Sequence, residues 1–422
     1  PVRRPIVWTW SAGGVRVAGT GLSGGLTLAN VEAVVGGAGV DVLTTLGSLS
    51  TTYTVAGVKR VELGDVTFEA VDELLGAGLA DTLLAPVTPT TTSEGATSVL
   101  GISYTGMETV VRGAVAMFVL DATGGDDVMV LSAVVPTAAQ VLAGDPPVLK
   151  LVMGATSLEF IAPSELLAIF GLGGNDSLLV SPLPPTFAGL VSFDGGEGTD
   201  TFRTTLLTAT SWLLGAVGEG SGGPFSFAGV ETLWGSGADS LTSPDFEEVS
   251  WTLTGAGSGV VTVTSFQEVV LGTITSTTRS ISFAGMTSLT GGEGIDTVLS
   301  ALTGAQTWAL TGPGAGTVGG FTFAGMDRLA GGTGADTLQG LVGESRDWTI
   351  TGTGAGTAAG LTFSDFEALQ ARGTSDTVTG PVAGATWTVG VGGAVTVAGL
   401  TLTGFDVLAG GAGSDTLQGP DQ

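Results

Sequence analysis

The sequence predicts an all-β fold: a single elongated parallel β-solenoid of the β-helix or β-roll type. Coils of about 16–20 residues are expected, two to each 40-residue repeat. Three observations predict it. A glycine-rich phrase containing Asp returns about every 40 residues. Short runs such as "WTIT", "WTLT", "VTVT" and "FTF" alternate with period two and are rich in β-branched and aromatic residues. Gly is 73 of 422 residues, and only "SELLAIFG" near Leu166 hints at helical spacing.

The Asp of the glycine phrase serves as a ruler. It falls at Asp41, Asp81, Asp127, Asp176, Asp200, Asp239, Asp296, Asp336, Asp376 and Asp415, in steps of 40, 46, 49, 24, 39, 57, 40, 40 and 39. An insertion or deletion that leaves a stack intact should be one whole coil. The step of 57 is thus expected to add one coil and the step of 24 to lose one. An aromatic follows the Asp by 12 residues at Tyr53, Trp212, Trp251, Trp308 and Trp348, and by 11 at Trp387. These read as a stacked ladder, with a sugar-stacking surface stripe as the alternative. A second phrase, such as "FAGMDRL" at Phe323, carries an acid nine residues before the ruler Asp (Glu32, Asp72, Asp327, Glu367, Asp406), or eight for Glu231. Gly supplies the positive φ of tight corners between the runs.

Three stretches follow: regular repeats over 1–83, irregular repeats with loops over 84–190, and regular repeats over 191–422. The middle stretch holds most of the prolines ("APVTPTTTSEG", "GDPPVLK", "SPLPPTF"), and Pro is confined to edges, turns and bulges of sheets.

Composition narrows the chemistry. The formal net charge is −27, with Lys only at Lys59 and Lys150. That disfavours nucleic acid and anionic membranes as partners. No apolar run reaches the ~18 residues of a membrane-spanning helix, so no membrane insertion is expected. Cys and His are absent, which removes disulfides, thiolate metal sites and the commonest general base. The adjacent acids Asp126–Asp127 and Glu247–Glu248 do not form a local cluster with a basic partner of the kind glycan cleavage needs. No enzyme is expected and no catalytic residue is assigned.

The phrase G-G-x-G-x-D is complete at Asp41, Asp200, Asp296, Asp336 and Asp415. It resembles the nonapeptide of hemolysin-type, or RTX, repeat proteins. "TFAGMDRLA" and "GGTGADTLQ" read as two successive nonapeptides, with Asp327 and Asp336 in step. The resemblance implies a β-roll, an extracellular or cell-surface location reached by bacterial-type secretion, and calcium at those five Asp residues. The full phrase returns only on alternate coils, roughly 9–10 Å apart, too far for two such turns to share one ion. A plain turn, closed by Asp on backbone N–H groups, is the other reading.

The ends suggest a function. The sequence closes on "GGAGSDTLQGPDQ", a turn and first strand, and opens on "PVRRPIVWTWSAGGVRV", an aromatic strand. Each supplies what the other lacks. The expectation is an extracellular structural protein whose copies stack head to tail into a filament or sheath, with Arg3, Arg4, Trp8, Trp10, Leu417 and Asp421 at the joint. The alternative is part of a giant secreted RTX-like adhesin that binds a surface or a cell-surface polysaccharide, with calcium.

Overall fold

The computed structural model describes residues 6–11, 14–19, 26–28, 33–35, 41–45, 52–63, 66–75, 82–87, 90–91, 97–99, 102–105, 109–137, 140, 145–215, 218–243, 248–266 and 276–419. Its named elements are all strands, here β1–β45 in chain order. They fall into two compact units, 1–198 with 224–226, and 199–223 with 227–422.

The second unit shows the repeat most clearly. Each 40-residue repeat supplies five strands. One repeat holds β31 (Thr307–Gly312), β32 (Ala315–Val318), β33 (Phe321–Ala324), β34 (Arg328–Ala330) and β35 (Thr337–Gln339). The next holds β36 (Asp347–Gly352), β37 (Ala355–Ala358), β38 (Leu361–Ser364), β39 (Ala368–Gln370) and β40 (Thr377–Thr379). The last holds β41 (Thr386–Val389), β42 (Val395–Val397), β43 (Leu400–Thr403), β44 (Val407–Ala409) and β45 (Thr416–Gln418).

The first three strands of each repeat form an antiparallel meander. The last two join parallel ladders. Trp308 pairs with Leu338, Leu338 with Leu369, and Leu369 with Leu402. One sheet therefore runs β31-β35-β39-β43-β42-β41-β45, and a second runs β34-β38-β37-β36-β40-β44. Successive repeats place their meanders in alternate sheets. Five strands shared between two sheets average about 16 residues per layer, the expected coil length. The winding is more elaborate than two plain coils, because a meander folds back within one sheet before the chain crosses.

The core is the inward half of this alternation. Trp308, Leu338, Leu369 and Leu402 line one sheet, and Leu329, Phe363, Trp348 and Val378 the other; all are buried. Rings form a continuous column, Phe323–Trp308–Phe366–Phe363–Trp348–Phe405, with successive centroids 6.1, 5.7, 5.9, 6.3 and 5.6 Å apart. Such tilted and edge contacts add ~0.5–1.5 kcal/mol each beyond area burial. The aromatic ladder is therefore core. Tyr53, Trp212, Trp251, Trp308, Trp348 and Trp387 are all buried and offer no outer face for a sugar.

The first unit repeats the pattern. β1 (Ile6–Ser11), β2 (Gly14–Gly19) and β3 (Leu26–Leu28) form a meander, and β1 runs parallel to β5 (Val42–Thr45) with Trp8 opposite Leu43. β4 (Ala33–Val35) runs parallel to β8 (Val66–Glu69), with Val34 opposite Phe68. Within 84–190, β15 (Met117–Asp121), β19 (Leu166–Phe170) and β21 (Leu190–Asp194) are parallel neighbours. β16 (Val128–Ala133), β17 (Val148–Met153) and β18 (Thr156–Ile161) form a longer meander beside them.

The irregular steps correct one expectation. The step of 57 adds no coil; its extra residues lengthen the meander of β27 (Glu248–Gly255), β28 (Ser258–Phe266) and β29 (Ser276–Thr290). The step of 24 drops a meander, leaving only β20 (Ser177–Val180) and β21 between Asp176 and Asp200. A meander enters and leaves the same sheet, so its length changes without disturbing the register of the turns.

Candidate functional site

The described ruler Asp residues sit at the start of the parallel strands, and seven of them (Asp41, Asp176, Asp200, Asp239, Asp296, Asp336, Asp376) are buried. The reason is a recurring brace between layers. The Oδ1 of Asp336 accepts the backbone N–H of Gln306 at 2.7 Å. The same bond recurs from Arg346 to Asp376 (2.8 Å), Ala385 to Asp415 (2.8 Å), Thr210 to Asp239 (2.9 Å) and Asp127 to Asp176 (2.7 Å).

A second acid continues the brace. The N–H of Asp336 donates to Glu367 Oε2 at 2.6 Å. Asp376 donates likewise to Asp406 (2.9 Å), Asp296 to Asp327 (2.9 Å), Asp200 to Glu231 (2.7 Å) and Asp41 to Asp72 (2.8 Å). In return the carbonyl of Asp336 accepts from Glu367 N and Ala368 N. Each turn thus hangs on a carboxylate about 30 residues further along the chain. Hydrogen bonds to a charged acceptor are worth ~1.5–3 kcal/mol.

Some copies also close their own turn. Asp376 Oδ2 accepts Gly373 N at 2.7 Å. Asp239 Oδ2 accepts Ser236 N (2.9 Å) and the indole N–H of Trp212 (3.1 Å). In the matching register Trp308 lies opposite Leu338, two residues after Asp336; there the Trp308 indole nitrogen and Asp336 Oδ2 are both buried without a hydrogen bond. Asp296 Oδ2 is in the same state. The Asp296 carboxyl is pushed up to about 6. Burial is the largest cause; Asp327 also raises it, while Ser243, Gly292 N and Trp251 pull it down. Trp251 approaches near enough to act on Asp296, yet outside hydrogen-bond geometry.

The two glycines of the phrase have separate tasks. A Cβ on Gly331 would lie 2.2 Å from Asp365 O and 3.2 Å from Asp336 Oδ2. Gly332 adopts φ of 100°. The first is needed for space and the second for backbone conformation.

Residues 321–344 and 401–419 match the family model of the RTX calcium-binding nonapeptide repeat (4 copies). These segments are RTX-like repeats within a strand-rich chain. A comparison with curated proteins gives no match.

The match supports calcium binding by these RTX-like repeats. The donors present suit a hard cation: carboxylate oxygens and turn carbonyls. The bare Oδ2 atoms of Asp296 and Asp336 are the oxygens such an ion would take up, and Asp365 O closes over the Asp336 turn. Ca²⁺ takes six to eight oxygens. Among the described residues no three acidic side chains gather, so backbone carbonyls would supply most of that shell.

Of the five candidate metal residues, Asp41, Asp200, Asp296 and Asp336 are enclosed in the brace. Asp415 is exposed. The phrase acids Asp72, Glu231, Asp327, Glu367 and Asp406 belong to the same site. Their fixed spacing of eight or nine residues was the signal for them. Asp126 and Asp127 also serve turns, accepting from Asn175 N (2.7 Å) and Thr123 N (2.8 Å) respectively.

The layer at 400–418 differs from all others in the second unit. Leu408 is 39% exposed and Leu417 69%, whereas their counterparts Leu369 and Leu338 are fully buried. Of the remaining candidate interface residues, Trp8 and Trp10 lie in β1, which is paired on both edges, with β2 and β5. Arg3, Arg4 and Asp421 lie outside the described residues.

Proposed function

We propose that this chain is a non-catalytic structural protein that acts outside the cell, secreted as RTX-repeat proteins are, and assembles end to end into a filament or sheath. One observation carries the reading. Leu338, Leu369 and Leu402 repeat in register along one parallel ladder, so each layer offers the next the same strand edge and the same apolar row. A stack built this way templates further strands. A heterologous contact that does not close propagates as a filament. Calcium is the cation this reading assigns to the turns, where it would relieve repulsion among stacked carboxylates within a Debye length of ~8 Å.

The test is assembly itself. Purified chain, examined by sedimentation velocity and electron microscopy over rising concentration with calcium and with chelator, should form linear polymers. A chain that stays monomeric under every condition overturns the reading. Binding to a cell-surface polysaccharide, as an adhesin would show, is the second reading; it rests on the RTX-like repeats and is separated by a glycan-binding assay on the monomer.

A further inference from the structure

One outward patch of the second unit breaks the repeat. On β22 (Thr201–Thr204), β26 (Thr232–Thr242) and β29, the side chains of Phe202, Leu233 and Phe283 are buried. The residues that follow them, Arg203, Trp234 and Ala284, are register partners on the outer face. Trp234 is 41% exposed, whereas Trp212, Trp251, Trp308, Trp348 and Trp387 are buried. The Arg203 guanidinium lies over the Trp234 ring, 4.5 Å from its centroid.

The repeat supplies its own comparison. Arg203 stands three residues after its ruler Asp; in the last three repeats that place holds Gln339, Thr379 and Gln418. Trp234 stands three residues after its phrase acid; there the same repeats hold Ala330, Gln370 and Ala409. Small or neutral side chains therefore suffice for the fold at both places. Here both change together, and at positions that pair across the ladder. The change does not serve the core, because an exposed indole forgoes much of the burial that makes Trp stabilising inside.

The pair has the chemistry of a binding platform. The indole offers a flat apolar ring, and its ladder neighbour away from Arg203 is Ala284, a single methyl. Two residues back along the strands, Thr201, Thr232 and Ser282 set a row of hydroxyls on the same face. Arg203 forms no ion pair among the described residues. Its contact with the ring uses its charge and leaves its N–H donors for another partner.

We propose that this patch binds an acidic polysaccharide. Trp234 stacks on the apolar face of a sugar ring, Arg203 takes the carboxylate of a uronic acid, and the hydroxyl row bonds the sugar hydroxyls. This rests on the polysaccharide-binding reading above and names its site. Charge decides the class. In a chain of net charge −27, an outward Arg without a carboxylate partner is the complement of an anion that comes from outside. Acids further away than ~8 Å are largely screened at physiological salt.

The later repeats also make the test clean, because Gln and Ala already stand at these places in folded layers. Arg203→Gln and Trp234→Ala should keep the melting temperature of the parent chain. The full chain is titrated with a short galacturonate oligomer and with a neutral glucose oligomer of the same length. Calorimetry reads affinity, and acrylamide quenching of tryptophan fluorescence reads shielding. Galacturonate should bind roughly tenfold tighter than the glucose oligomer and shield a quenchable tryptophan. Arg203→Gln should weaken galacturonate binding roughly tenfold or more, and Trp234→Ala should remove the shielding. Equal binding of the two oligomers overturns the acidic class. Binding untouched by both substitutions overturns the site and leaves polysaccharide binding standing. A chain that binds neither oligomer overturns the site, and one that also binds nothing in the glycan assay above removes that reading with it.

Discussion

At the scale of the residue, the turn acids act as backbone braces before they act as anything else. Asp239 accepts from Thr210 N, Trp212 Nε1, Ser236 N and Ser236 Oγ. Asp239→Ala leaves buried donors unpaired at about 1–3 kcal/mol each. We expect a loss on the order of 3–5 kcal/mol in urea unfolding, against about 1 kcal/mol for Ser236→Ala. Asp296 behaves differently because its folded pKa, about 6, lies above the ordinary 3.8. The folded state then holds a proton that the unfolded chain has lost. This contribution is complete below pH 4 and disappears as pH rises through 6. Melting curves from pH 4 to 8 should show the decline, and Asp296→Asn should flatten it. The sequence showed these Asp positions and their spacing. It did not show that the bonded N–H lies about 30 residues earlier, in another layer, because that distance is created by the winding.

At the scale of the element, the unit of variation is the meander. Its strands leave and re-enter one sheet, so the chain tolerates a long meander at 248–290 and none between Asp176 and Asp200. The turns have no such freedom. Gly331→Ala drives a Cβ to within 2.2 Å of the Asp365 carbonyl and should cost about 1–3 kcal/mol. Gly352→Ala meets nothing within 4 Å and should be neutral or stabilising by ~0.4–1 kcal/mol. Paired thermal melts of the two variants check this. Strand positions were legible from alternation and glycine breaks. The antiparallel sense of the middle meander strand in each repeat was not, since alternation has the same period in either direction.

At the scale of the whole molecule, the proposed assembly and the calcium reading each make a prediction. If calcium binds the folded turns, a concentration 100-fold above Kd adds ~2.7 kcal/mol. Melting with calcium against melting with chelator should then differ by several degrees, and an unmoved transition removes calcium from the turns. Leu417→Lys, which places a charge where a buried core position is needed, should abolish polymers and leave the melting temperature of the monomer within a degree or two. The sequence by itself determined the all-β class, the 40-residue repeat, the carboxylate-bearing corners and the acidic surface, because each follows from local spacing and composition. Only the tertiary structure decided that the Trp ladder is core and that two sets of acids interlock. Those facts depend on which strands become neighbours, and pairing between residues 30 or more apart is set by how the meanders fold back.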